Sequence, residues 1–278
     1  LLGNHRVFIS MYENGSGDLT KEILREFSPT LDALNVPHRI VVDDNPRPSS
    51  FHRIEYMAQI RNKALEPLYE QSREYDRVVF LNDVFFCPSD LMELVYQAET
   101  QDAHLTCGED FEKRYGMLRF YDTWVSRDIQ GNAFNNQYRS IADDYNAVSG
   151  QIFNHPFQVQ CCWNGIAVLD ASVFDEGIRF RRSNAAECSA SECSLLCNDM
   201  WAKGYNRAVV VPRIKVAYAT DARDELRLPY NFPRDAKLGG WSSMKVDYEA
   251  GPKEVYCHPL NEVGAMAPDG PASMVPLG

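Results

Sequence analysis

The run Arg77-Val78-Val79-Phe80-Leu81-Asn82-Asp83-Val84-Phe85-Phe86 constrains this chain most. Four consecutive apolar residues, two of them β-branched, read as a strand covered on both faces. The run turns polar at Asn82 and Asp83 and apolar again behind them. A carboxylate set in so much apolar sequence is costly to bury without a partner. Its cheapest place is the carboxyl edge of a parallel sheet, where open α/β proteins bind ligands. There Asp83 would hold a divalent cation, and the cation a diphosphate. The plainer role for a strand-end Asp is to cap the turn that follows.

The first hundred residues repeat one pattern. Arg6–Met11, His38–Val42 and the run above read as strands, and helices are expected over about 18–35, 51–69 and 88–98. Strand–helix alternation of this kind predicts an α/β fold with a mostly parallel central sheet flanked by helices. The three strands end on Glu13-Asn14, Asp43-Asp44 and Asn82-Asp83. In a parallel sheet those ends share one edge, with groups for a base, a ribose and a metal-bound diphosphate. The helix after the second strand carries Arg53, Arg61 and Asn62. Arg53 in its first turn favours an anion. Arg53 and Arg61 lie about 80° apart around the axis, so they reach one ligand only from its sides. Solvated surface arginines would show the same spacing.

The second half is less regular. His104–Cys107 reads as a strand ending on Gly108-Glu109-Asp110, and residues 122–145 are polar, aromatic and long enough to suggest a substrate loop or lid. A strand pair is expected around Cys161-Cys162-Trp163-Asn164-Gly165, a helix over 191–203 stopped by Gly204, and a strand over 207–218. In that helix Cys193, Leu196, Cys197 and Met200 form a stripe that should face the core. Glu192 and Asp199 share another face about 10 Å apart, so at most one serves a reaction centre; Glu192, in the first turn beside a Ser N-cap, is the candidate. The chain divides as one catalytic domain over 1–263, with a nucleotide-sugar half at 1–110 and an acceptor half at 111–263. A loose tail rich in Pro, Gly and Ala follows over 264–278.

A formal charge of -11 excludes nucleic acid as the main partner, because no basic stripe exists to neutralise phosphates. It also requires local Arg residues or a metal beside any nucleotide-sugar. Eight Cys in 278 residues suggest disulfides made in an oxidising compartment. Cys188, Cys193 and Cys197 with His258 offer a zinc site as the alternative. His258 has another possible use, as a nitrogen ligand completing a metal site at Asp83. No stretch approaches the roughly 20 apolar residues of a membrane span. The start at Leu1-Leu2-Gly3 is read as that of a soluble piece of a longer protein. Asn14-Gly15-Ser16 is a glycosylation sequon inside the proposed nucleotide loop.

Four segments carry a resemblance. They are Phe80-Leu81-Asn82-Asp83-Val84-Phe85-Phe86, Phe120-Tyr121-Asp122-Thr123-Trp124-Val125-Ser126-Arg127-Asp128-Ile129, Cys162-Trp163-Asn164-Gly165, and Ser191-Glu192-Cys193 with Leu196-Cys197. From about Arg6 to Tyr218 the chain resembles the fungal α-1,3-mannosyltransferases of the cryptococcal mannosyltransferase and capsule-associated protein type. The resemblance implies a GT-A type, Rossmann-like glycosyltransferase fold and a GDP-mannose donor. It also implies a mannose-containing glycan acceptor, retention of configuration and a Mn²⁺ or Mg²⁺ ion. A type II Golgi membrane protein with this chain in the lumen is expected. Asp83 matches the last residue of the Asp-x-Asp motif, with Leu81 at the first position. Arg61-Asn62 matches the Arg-Asn pair near the donor phosphates, and Glu192 an acidic position near the acceptor. On this reading Glu192 and Asp83 are catalytic, and Asp83 with His258 holds the metal. Glu13, Asn14, Asp43, Asp44, Arg53, Arg61, Asn62 and Asn82 bind the donor. Asp110, Asp122, Arg127, Asp128, Trp163 and Asn164 face the acceptor. The rivals are a UDP-sugar transferase and a non-catalytic scaffold subunit of polysaccharide assembly.

Overall fold

The computed structural model describes residues 3–45, 47–70, 75–138, 140–185, 187–227, 244–261 and 273–277. The expected alternation forms: β1 (Ile9–Asn14), α1 (Thr20–Ala33), β2 (His38–Asp43), α2 (Arg53–Glu70), β3 (Arg77–Leu81) and α3 (Pro88–Thr100). β1 and β2 pair in parallel as a two-stranded sheet, with Asn14 opposite Asp43. Two of the three polar strand ends therefore do meet.

β3 belongs to a different sheet of six strands. With β4 (Leu105–Arg114), β5 (Met117–Phe120), β6 (Phe157–Val159), β7 (Ile166–Asp170) and β8 (Ala208–Ala217), the order is β3-β7-β4-β8-β6, and β5 pairs with β4. A mostly parallel sheet was the expectation, but here only β4 and β8 pair in parallel, and every other pairing in this sheet is antiparallel. The cause is β7, a short return strand slotted between β3 and β4, which needs no helical crossover. β3, β4 and β8 still run the same way, so their carboxyl ends share an edge.

β3 itself corrects the opening expectation. It is the outermost strand, with Val79 37% and Leu81 41% exposed, while Val78 and Phe80 pack on the core. A run of four apolar residues does not by itself tell a strand covered on two faces from an edge strand covered on one. Asp83 is likewise exposed, so no burial cost attaches to it.

Strand alternation assigns the two faces of the sheet. Ala167, Leu169, Ala208 and Val210 pack with Ala58 and Leu65 of α2 and with α6 (Glu192–Ala202). Ile166, Val168, Val209 and Val211 pack with Leu94 and Ala98 of α3. The sheet is thus an α/β layer between helices. In α6 the expected stripe of Cys193, Leu196, Cys197 and Met200 is buried, and Ser191 is the N-cap, accepting from the Cys193 amide.

Residues 122–145 are irregular as expected but are no surface lid. Val125, Ile129, Phe134, Ile141 and Ala142 are core residues. Side-chain oxygens replace the backbone partners that a strand or helix would supply. Asp122 accepts from the Val125 amide, Asp128 from Gln130 and Asn132, Asn135 from Gln137, and Asp144 from Asn146 and Ala147. The C-terminal composition misled in another way. Ser273–Pro276 forms β10, antiparallel to β9 (Glu254–Cys257). The rest of the presumed tail, save residue 277, lies outside the described residues.

Six of the eight cysteines pair, as Cys107–Cys162, Cys161–Cys197 and Cys188–Cys257, leaving Cys87 exposed and Cys193 buried. The zinc alternative loses Cys188 and Cys197 to these bonds. Alkylation without reduction should label Cys87 in the native protein and Cys193 only after unfolding. More than two labelled thiols in denaturant would contradict the pairing.

His104 gives a second check. Its Nδ1 accepts the Arg207 amide at 3.2 Å, and burial holds its pKa down to about 4. A depressed value means the fold favours the neutral ring. That stabilisation is full above the ordinary value of about 6.5 and fades as pH falls toward the folded value. Chemical denaturation should therefore show stability falling more steeply with acid in the native sequence than in His104→Gln across that window. Equal slopes would exclude His104 as a source.

Candidate functional site

The site grows from the turn after β3. The Asn82 amide donates to Gly165 O at 2.9 Å, and the Phe85 amide to Ala217 O at 2.8 Å, so the turn is clamped between β7 and β8. Gly165 has φ +73°, and a Cβ there would lie 2.6 Å from Val84 Cγ1, so only glycine fits. Asn164, also left-handed, is locked from three sides. It receives the Ser126 hydroxyl, donates to Gly108 O and gives its amide to Asp122. This turn delivers Trp163 to the sheet edge.

Arg61 of α2 arrives from the other side. Its Nε donates to Glu192 Oε1 at 2.9 Å and its Nη1 to Asn82 Oδ1 at 3.2 Å. The guanidinium lies 5.2, 5.0 and 5.6 Å from the ring centres of Phe80, Trp163 and Phe180. Arg61 and Glu192 are 8% and 4% exposed, so this is a buried ion pair inside an aromatic box. Such a cation gains from ring faces that are shielded from water. Asn62, next in sequence, bonds both backbone groups of Phe180 and so fixes the third wall.

From Asn82 the network continues outward. Its Nδ2 donates to the Tyr218 hydroxyl at 3.3 Å. Beside Tyr218 lies Asp110, fully buried, whose Oδ1 accepts the Asp122 amide at 3.1 Å and whose carboxyl the Tyr218 hydroxyl faces. Burial, and then the neighbouring Asp122, push the Asp110 carboxyl well above the usual carboxylate range. Burial also raises Asp122. The pair is held short of full ionisation, because two carboxylates so enclosed cannot both be charged cheaply. Burial raises Tyr218 as well, followed by the Asp110 charge.

Several expected residues take other work. Arg127 donates to the carbonyls of Tyr256, Thr123 and Ser126, and burial lowers its pKa to about 10. Its oxygens being spent on turn amides, Asp128 is likewise committed to the scaffold, as is Asn164. His258 stacks on Tyr256 beside the Cys188–Cys257 bond. Asp199 pairs with Arg181 at 2.7 Å.

The β1–β2 end forms a second cluster. Asp43 accepts from Tyr12 and Asn45, Asp44 pairs with Lys21 at 2.6 Å, and Glu13 caps the loop at the Ser16 amide. Asn14 donates to the Tyr56 hydroxyl at 3.4 Å. Arg53 is exposed at the start of α2, its guanidinium 5.7 Å above the Trp124 ring.

Sequence reasoning missed Tyr218, Tyr121 and Phe180. Tyr218 stands at a strand end, so the rule that found Asp83 would have found it had it been applied to β8. Phe180 carries no such signal, being a lone aromatic in an irregular segment.

An α/β layer with a buried, arginine-centred network and paired carboxylates at one strand edge is the build of a ligand-binding α/β protein. The chain belongs to the family described as Cryptococcal mannosyltransferase 1, whose model matches residues 1–199. It is 32% identical over 300 aligned positions to the protein named alpha-1,3-mannosyltransferase CMT1 of Cryptococcus neoformans, over 96% of this chain. The chain spans 64% of the length of that relative. A solved structure of S. aureus TarS 1-349 aligns with a TM-score of 0.44 at 13% identity, covering 81% of this chain and 55% of that one. That likeness is too loose to carry an argument.

The buried pair can be tested by a double-mutant cycle. Arg61→Met or Glu192→Leu alone strands a charge and should cost about 3–5 kcal/mol in urea denaturation. The double substitution should cost far less than the sum. Additive losses would mean that the two groups are not coupled.

Proposed function

We propose that this chain is the transfer domain of a glycosyltransferase that moves mannose from GDP-mannose onto a mannose-containing glycan. The linkage formed is α-1,3, with retention and with Mn²⁺ or Mg²⁺. The family and the name of the relative support mannosyl transfer. The observation that carries the reading is the clamped Asn82 turn, which presents the exposed Asp83 carboxylate at the edge where β3, β4 and β8 all end. A Lewis acid there would offset the charge that develops on departing GDP.

Asp83 fits such an ion only in company. Among the described residues no three His, Cys, Asp or Glu side chains converge on a metal position. His258 is engaged in the β9 segment. One carboxylate with diphosphate oxygens and water is a usual shell for Mg²⁺. Arg53 supplies a free cation at a helix N-terminus for the same diphosphate. Asn14, Asp43 and their hydroxyl partners offer polar groups to the nucleoside.

Glu192 changes role. Its carboxylate is spent on Arg61, so it positions Asn82 through that arginine rather than attacking the sugar. Asp110 and Asp122 are too enclosed to form a glycosyl ester. Retention is then best served by an acceptor hydroxyl that attacks from the leaving-group side and gives its proton to a departing phosphate oxygen. The three disulfides suit an oxidising lumen such as the Golgi. No described helix is long and apolar enough to cross a membrane.

Incubation with GDP-mannose, an α-mannoside and Mn²⁺ should give a product one hexose heavier, and chelation should abolish it. In thermal shift, GDP with Mn²⁺ at 100 times its Kd should stabilise by about 2.7 kcal/mol. Asp83→Ala should lose the metal-dependent part and keep the fold. Equal shifts with UDP would point to the other donor class. Intact donor together with no shift would leave the scaffold reading.

A further inference from the structure

Beyond Asn82 the network opens onto two aromatic rings. Tyr121 is 48% exposed, and its ring centre lies 4.7 Å from that of Tyr218, at 50°. The backbone under Tyr121 and the side chain of Tyr218 are both held. The Tyr121 amide donates to Asp110 O at 3.0 Å, the Thr123 amide to Tyr121 O at 2.9 Å, and Tyr218 is tied through its hydroxyl to Asn82. Tyr218 is thus held by its own side chain, and Tyr121 presents its half-open ring from a fixed backbone, which lowers what binding must still order.

Charge decides what such a pair can take. The carboxyl groups of Asp110, Asp122 and Glu112 lie close enough to act on the Tyr121 hydroxyl, and the Arg53 guanidinium acts on it in the opposite sense. A diphosphate placed over these rings would meet three acidic side chains for one cation. A neutral pyranose brings no charge to them: one face is C–H, suited to an aromatic ring, and its rim is hydroxyls, suited to carboxylates. Arg53 marks the side on which the diphosphate belongs.

We propose that Tyr121 and Tyr218 form the shelf on which the terminal pyranose of a neutral glycan acceptor stacks, its reactive hydroxyl turned toward Asn82 and Asp83. The inference rests on the transfer reading for its direction and on the rings alone for the binding. Tyr121 supplies the exposed half of the shelf. Tyr218 supplies the other half and, through its hydroxyl, registers the bound sugar against the Asn82 turn.

The test uses the whole chain and two readouts. Saturation-transfer NMR with an α-mannobioside, without donor, should show binding to the native protein and its loss in Tyr121→Ala. Tyr121→Phe, which keeps the ring, should restore it. In steady state Tyr121→Ala should raise the acceptor KM at least about tenfold, about 1.4 kcal/mol, and leave the KM for GDP-mannose unchanged. Tyr218→Phe should hold the acceptor KM and lower kcat, since stacking survives and the tie to Asn82 does not. Mannobioside binding without any transfer would sink the enzyme and spare the shelf. Transfer with a native acceptor KM in Tyr121→Ala overturns the shelf, as does a raised donor KM alone or the absence of any mannobioside signal from the native protein.

Discussion

One buried positive charge organises this molecule. The Arg61 guanidinium meets Glu192 of α6, Asn82 at the end of β3, Trp163 from the turn before β7, and Phe180, which Asn62 holds in place. Four stretches far apart in sequence converge on a group that must find all its partners at once. Taking two charges out of water costs several kcal/mol per ion, so the pair is weak evidence for stability. Its value is in what it fixes. Asn82 cannot shift without breaking a bond to Arg61 or to Tyr218, and Asp83 follows Asn82.

The rest of the edge is built with equal economy of movement. Asp122 and the Ser126–Asn164 contact sit on irregular chain whose turns are bonded by side-chain oxygens. The negative groups are thereby gathered on the side of β4 and β8, and Arg53 stands apart from them at α2. Charge is thereby separated across this edge by the fold itself.

The sequence revealed local grammar better than neighbours. The first six elements, the Ser191 cap and the buried stripe of α6 follow from periodicity and capping, which act within a few residues. Partners in the sheet do not. Nothing near Val79 shows that β3 ends up outermost, because β7, which displaces it, lies some ninety residues on. Site residues divide along the same line. Asp83 and Asn82 announce themselves as a polar break in an apolar run. Arg127 and Asp128 looked just as chemical, yet their charge serves carbonyls and amides, a use visible only once Tyr256 and Asn132 are in place. The C-terminal residues read as loose because Pro and Gly dominate there, whereas a four-residue strand needs only a partner such as β9.

Cys161 and Cys162 are adjacent, yet one sulfur ties to α6 and the other to β4. Synthesis runs from the amino end, so Cys107 meets both neighbours before Cys197 exists. Cys107 can then close on either sulfur with almost the same loop entropy. The wrong choice would leave Cys162 to seek α6 and shift the Trp163 turn by a residue. Correct assembly therefore calls for exchange among sulfurs while the chain is still open. A folding environment that only oxidises, and never reshuffles, would trap a share of these molecules with the aromatic box out of register.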